Sequence, residues 1–136
     1  MQPVLSAALL AALLAAAPSL ATGETPMTAA EFEAYVTGKT LTFSQFGSIF
    51  GTEEYLTDRR VRWAFTEDVC QYGSWYEAAG NICFVYEYDP DPHCWTFWKD
   101  GDKLMALSID DGPGSELSEV AQTDQPLACA GPDVGV

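Results

Sequence analysis

RVRWAFTEDVCQYGSWYEAAGNICFVYEYDPDPHCWTFWKDGDKLMALSI, residues 60–109, decides the fold class. Its opening alternates Val61, Trp63 and Phe65 with Arg60, Arg62 and Ala64, the period of two that belongs to a half-buried strand. Further short segments rich in aromatic and aliphatic residues follow at 74–78, 82–88, 95–98 and 104–109. Between them stand Gly, Asn, Asp and Pro, and Gly80-Asn81 and Asp100-Gly101 fall where tight turns are needed. None of the gaps is long enough for a helical crossover, so neighbouring strands must pair antiparallel and a parallel α/β fold is excluded.

The same reading extends toward the amino terminus. Leu41 and Phe43 alternate with Thr40, Thr42 and Ser44, a further segment falls at 55–57, and Asp58-Arg59 supplies a turn before Arg60. Ahead of these, Thr28-Ala29-Ala30-Glu31 has the spacing of a capping box, in which the Thr28 hydroxyl accepts from the Glu31 amide while the Glu31 carboxylate reaches back. The spacing predicts one short helix over residues 28–37, with Phe32, Tyr35 and Val36 as its apolar stripe, Thr37 as its last residue and Gly38 as a left-handed stop. Such a helix of about three turns has to be held by packing rather than by propensity. Toward the carboxyl terminus, Gly112-Pro113-Gly114 opens a polar tail with a last strand near 117–121 and little regular structure after it. The fold class is therefore all-β and mainly antiparallel, a meander of about seven or eight short strands closed as a barrel or folded as a sandwich, behind one N-terminal helix.

Residues 4–17, VLSAALLAALLAAA, are almost wholly apolar, and Pro18 then precedes Ser19-Leu20-Ala21, small residues at the positions a signal peptidase reads. Residues 1–21 thus read as a signal peptide and 22–136 as a single disulfide-containing β domain, periplasmic or secreted. The apolar run is shorter than the ~20 residues a membrane span needs, and no basic flank follows, so no stable membrane anchor is expected. Removing 21 of the 136 residues leaves 115, enough for one core. Every charged residue lies in that part, 20 acidic against 6 basic, for a net charge of -14. This excess repels nucleic acid and anionic lipid and favours solubility or a basic partner.

Cys70, Cys83, Cys94 and Cys129 are an even set in an exported chain and read as two disulfides, for which three connectivities exist. Cys83 with Cys94 and Cys70 with Cys129 is the preferred pairing, the first clipping an acidic loop and the second tying the tail to the sheet. A tight hairpin pairing Tyr88 with His93 would put Cys94 opposite Glu87, too far from Cys83, so this pairing requires 86–92 to bulge. Asp89-Pro90-Asp91-Pro92, with two residues unable to donate to a ladder, is suited to that. Neither a zinc-knuckle spacing nor a Cys-x-x-Cys is present.

His93 is the only histidine, so any acid/base hydrolase would have to be built on it. Paired acids such as Glu53 with Glu54 and Asp110 with Asp111 lack neighbours that would separate their roles. Calcium is the one ion the sequence could invite, through Asp89-Pro90-Asp91 or Asp110-Asp111-Gly112, but neither is an EF-hand loop. No catalytic residue, metal or cofactor is assigned.

Aromatic residues crowd the middle strands on both alternation phases. Trp98 and Val85 fall on one face, and Phe84, Tyr86, Trp95 and Phe97 on the other. Either barrel closure and the helix cover both faces, or an aromatic strip including Trp75, Tyr88, His93, Trp95 and Trp98 remains as a binding surface.

At Gly73-Ser74-Trp75-Tyr76, Ile82-Cys83-Phe84 and His93-Cys94-Trp95 the chain resembles an uncharacterised family of small exported proteins of Gram-negative bacteria, which share a Gly-x-Trp strand, a strand with Cys, an acidic or Pro-bearing loop and a second Cys before aromatics. The resemblance runs from Gly38 to Leu107, about half the chain. It implies export and the Cys83–Cys94 pairing and brings no activity. In size, disulfide content and architecture the chain also looks similar to small exported barrels that block lysozymes, which are basic proteins, though no inhibitory loop motif is present. The expected function is an exported non-enzymatic binding domain whose ligand the sequence does not name, with a basic envelope protein as the inhibitor-like version; the alternative is a small-molecule carrier with an aromatic-lined interior, and a hydrolase using His93 ranks last. A cavity of several hundred Å³ would favour the carrier, and a filled core with a contiguous exposed aromatic strip beside acidic residues would favour protein binding.

Overall fold

The computed structural model describes residues 25–66 and 69–129; the leader assigned to residues 1–21 lies outside them. Eight antiparallel strands follow one short helix: α1 (Ala29–Val36), β1 (Thr40–Gln45), β2 (Ser48–Tyr55), β3 (Arg60–Thr66), β4 (Val69–Ala78), β5 (Asn81–Tyr86), β6 (Asp89–Asp100), β7 (Lys103–Ser108) and β8 (Leu117–Thr123). Each strand pairs with its neighbour in sequence, and β8 returns to β1, giving a closed barrel rather than a sandwich. Closure leaves no free sheet edge, and eight strands give an interior just wide enough to be filled by side chains or to hold one small ligand.

The inner face is set by alternation. Leu41, Phe43, Tyr55, Val61, Trp63, Trp75, Ile82, Phe84, Phe97, Leu104, Ala106 and Leu117 form one buried cluster with Phe32 and Val36 of the helix. Phe32 is the plug. It makes edge-on contacts with Tyr55 and Trp75, centroids 5.8 and 5.1 Å away, and lies 4.5 Å from Phe97. Both halves of the capping box form: the Thr28 amide donates to Glu31 Oε2 at 2.8 Å, and the Glu31 amide donates to Thr28 Oγ1 at 3.2 Å. Thr28 and Thr37 are thus the caps of α1 rather than part of it. Backbone bonds then dock both ends of the helix, from Met27 N to Phe97 O and from Gly38 N to Tyr55 O.

Several expectations are corrected. The segment at 55–57 is no separate strand, because Tyr55 ends β2 and Thr57–Arg59 form a single 3-10 turn. The strand expected at 82–88 stops at Tyr86, since β5 turns through Glu87-Tyr88 into β6. Phe65, expected on the buried phase of β3, is 62% exposed because the register with β4 breaks after Trp63 and the strand end stands beyond the core.

Both preferred disulfides are present. Cys83 sits directly opposite Cys94 in the β5–β6 ladder. What permits this is the required bulge: Phe84 pairs with His93 and Tyr86 with Asp89, so Pro90, Asp91 and Pro92 oppose Val85 alone. Cys70 and Cys129, with α-carbons 5.7 Å apart, fasten the tail as a strap outside the barrel. Under the strap Thr40 Oγ1 donates to Gln125 O, Arg62 Nη2 to Leu127 O and the Leu127 amide to Glu54 Oε2. A half-hidden Arg62–Glu54 ion pair at 3.1 Å completes this seam. Among the described residues no helix is long and apolar enough to cross a membrane.

Candidate functional site: the open end of the barrel

The strand directions divide the molecule into two ends. Helix α1 and the connections at 55–60, 78–81 and 100–103 lie at one; the tips at 45–48, 86–89 and 108–117, with the strand ends Thr66 and Val69, lie at the other. Phe32 closes the first. At the second, a cavity of about 160 Å³ enters the barrel, walled by Phe50, Trp63, Phe65, Trp95 and Tyr86, with Glu53, Tyr55 and Gln71 also lining it and Asp89 and His93 toward the mouth.

Two backbone features build the wall. The β1–β2 register slips between Phe43 and Ser44, so Phe50 is the extra residue of a β-bulge and joins Trp63, Phe65 and Trp95 at centroid distances of 5.7, 5.7 and 6.4 Å. Glycine then makes room for two large rings. A Cβ on Gly51 would collide with the Trp63 indole, and one on Gly73 with Val85 O and the Tyr86 ring. Gly73 lies directly across from Tyr86, so the Tyr86 ring lies over β4 and its hydroxyl reaches Glu53 on β2.

Glu53 is the unusual group. Its side chain points into the barrel, is 2% exposed, and among the described residues accepts only from the Tyr86 hydroxyl, at 3.1 and 2.8 Å to its two oxygens. Burial raises its pKa well above the ordinary glutamate range, against a smaller opposing effect of the Tyr86 hydrogen bond. Tyr86 and Tyr55 are raised in turn by burial first and then by the nearby Glu53 carboxyl. The other two buried glutamates are better served. Glu54 has Arg62, while Glu119 accepts from the Tyr35 hydroxyl, the Leu104 amide and Gln122 Nε2. Burial and the bond to Glu119 push Tyr35 up to about 12.

The candidate surface residues separate on this frame. Trp95 lines the cavity, His93 and Asp89 stand near its mouth, and Tyr88 is exposed in the adjoining tip. Trp75 and Trp98 are not on a surface, at 3% and 4% exposure; Trp75 packs against Phe32 and lies under the Arg59 guanidinium at 4.4 Å. His93 Nε2 is 2.8 Å from Asp89 Oδ2, and this bond together with one from the Asp91 amide lowers the Asp89 pKa. With Asp89 so engaged, no group of three or more His, Cys, Asp or Glu side chains able to hold a metal occurs among the described residues. The Asp89-Pro90-Asp91 and Asp110-Asp111-Gly112 candidates for calcium thus form no such group.

Sequence reasoning picked out Tyr88 but missed the rest of the rim. Phe46, Ile49, Phe65, Val69, Tyr88 and Ile109 are six of the eight large hydrophobic side chains exposed among the described residues, and all six belong to the open end. Charge is divided along the same axis. The chain's 6 basic residues, Lys39, Arg59, Arg60, Arg62, Lys99 and Lys103, all belong to the helix-closed half, and the open-end tips contain none. Those tips carry Glu87, Asp89, Asp110, Asp111 and Glu116. No protein-family model, curated protein or solved structure matches the chain.

Proposed function

We propose that the protein is an exported, non-enzymatic binding module, periplasmic or secreted, that recognises a basic protein partner through the open end of its barrel. The observation that carries this reading is the coincidence at one end of an exposed apolar ring, acidic side chains and no Lys or Arg, in a chain whose net charge is -14. Apolar patches rimmed by polar groups mark interaction sites, and charge of one sign steers a partner of the other. The leader and the paired cysteines support a location outside the cytoplasm.

A cavity in the barrel interior is also what a small-molecule carrier, the second reading, would need. At about 160 Å³ it falls below the ~300–1,000 Å³ usual for a carried metabolite. It is nearer to the space of a single ring or side chain, which suits a partner's anchor better than a cargo.

The test uses the mature chain as bait against an envelope fraction, at low and high salt. Wild-type protein is expected to retain a basic protein that is released on raising salt, and Phe46→Ser with Tyr88→Ser is expected to lose it. Capture indifferent to both salt and rim substitution contradicts the reading.

A further inference from the structure

Among the lining side chains the charged or unpaired polar atoms are mainly acceptors. Glu53 has one phenolic partner and no cation, Gln71 Oε1 is buried with no donor, and Asp89 stands toward the mouth. Around them are the rings of Phe50, Trp63, Phe65 and Trp95; no Lys or Arg lines the space, and His93 toward the mouth is bonded to Asp89. Aromatic rings around a carboxyl with a single phenolic partner and an unpaired amide oxygen suit a cation with N–H donors on a slim apolar stem.

We infer that the cavity is a socket for a lysine side chain of the basic partner, with its ammonium directed at Glu53 and Gln71 and its stem between Trp63 and Trp95. This rests on the reading of the open end as the docking face and adds what enters it. Ammonium suits the site better than guanidinium. Both Glu53 oxygens already face the single Tyr86 hydroxyl, so no free parallel pair is offered to an arginine fork, whereas a compact point charge needs only one oxygen and the lone Gln71 acceptor.

The inference has a proton consequence. Burial favours the protonated Glu53 carboxyl in the empty cavity, and an arriving ammonium favours the carboxylate. Binding therefore releases a proton from Glu53 to solvent while the ammonium keeps its own, and affinity rises with pH until Glu53 is ionised unaided. The groups facing Glu53 are Tyr86 from β5 and Tyr55 from β2, with Asp89 and His93 toward the mouth; the Glu119 carboxylate also acts on Tyr55.

The experiment is a titration of the mature protein, followed by the indole resonances of Trp63 and Trp95, with n-butylammonium, 1-butanol, the peptide Gly-Lys-Gly and its Nε-acetylated twin. The expected result is at least tenfold tighter binding of n-butylammonium than of 1-butanol and of the free peptide than of its acetylated twin, both increasing with pH. Glu53→Gln, verified as folded by near-ultraviolet circular dichroism, is expected to bring both ratios close to one. Equal binding of charged and neutral probes, or a preference that survives Glu53→Gln, overturns the inference. Entry of n-butylammonium without the lysine peptide overturns the lysine assignment in favour of a free amine. Entry of no probe refutes the socket while leaving open-end docking to be judged separately by the rim variants in the capture experiment.

Discussion

The two ends of this barrel are built on opposite principles. At the helix end Phe32 fills the opening, the capping box is closed, Arg59 pairs with Glu33 at 3.1 Å, and the ammonium groups of Lys39 and Lys99 both approach the Tyr35 ring while its hydroxyl bonds Glu119. At the open end large side chains stand in solvent, a carboxyl is buried with one partner, and a side-chain oxygen has none. One end obeys the rules for stability, and the other departs from them where binding would use the departure.

The comparison is broken most forcefully at Phe32. Phe32→Ala removes a fully buried ring packed against rings from four strands and is expected to cost about 3–5 kcal/mol of stability in denaturant unfolding. Phe46→Ser at the opposite end is expected to change it by less than about 0.5 kcal/mol. Similar losses for the two would show that the ends are not divided as described.

The disulfides come next. Replacing Cys70 and Cys129 together by Ser releases the strap, and replacing Cys83 and Cys94 opens a ladder pair; each is expected to cost about 2–4 kcal/mol. The first should cost more, by about 1–2 kcal/mol, because it closes a separation of 59 residues against 11. Thermal melts of the two double mutants decide the order.

Glu53→Gln has the opposite sign. Because burial raises the folded pKa of Glu53 above its unfolded value, the folded chain holds a proton the unfolded chain releases. That contribution is complete below the ordinary glutamate range and is lost as pH rises through the folded pKa. The amide has no such loss, so the variant is expected to gain in Tm relative to wild type as pH increases from about 4 to 8. A pH-independent difference would mean that Glu53 is not held protonated. At the closed end Thr28→Ala is expected to lose only about 1 kcal/mol, from opening the capping box.

Legibility in the sequence follows the same division. The helix, its cap and the Leu41–Phe43 alternation obey local rules, and so does the Trp63 phase of β3. The disulfide pairing was a preference among three connectivities, and for Cys83 with Cys94 it required the bulge that the two prolines of 89–92 made feasible. By contrast β2 was hardly visible, since Gly51, Thr52, Glu53 and Glu54 read as polar surface although Glu53 points inward. Phe50 faces the cavity only through a bulge, a cross-strand property without local signature. Phe65 and Trp98 failed for opposite reasons: simple alternation placed the first in the core, while the second is buried although it lies on the phase opposite to Phe97. The rim emerged only once four separated tips were gathered by barrel closure.

The most direct test of open-end recognition is site-specific photo-crosslinking in the envelope, with the reactive side chain at Phe46 or Tyr88 on the rim, or at Ala79 or Asp102 at the helix end. The account predicts one adduct with a basic protein from both rim positions, diminished by salt, and none from the helix end. The same adduct from Ala79 or Asp102 at equal yield would contradict it.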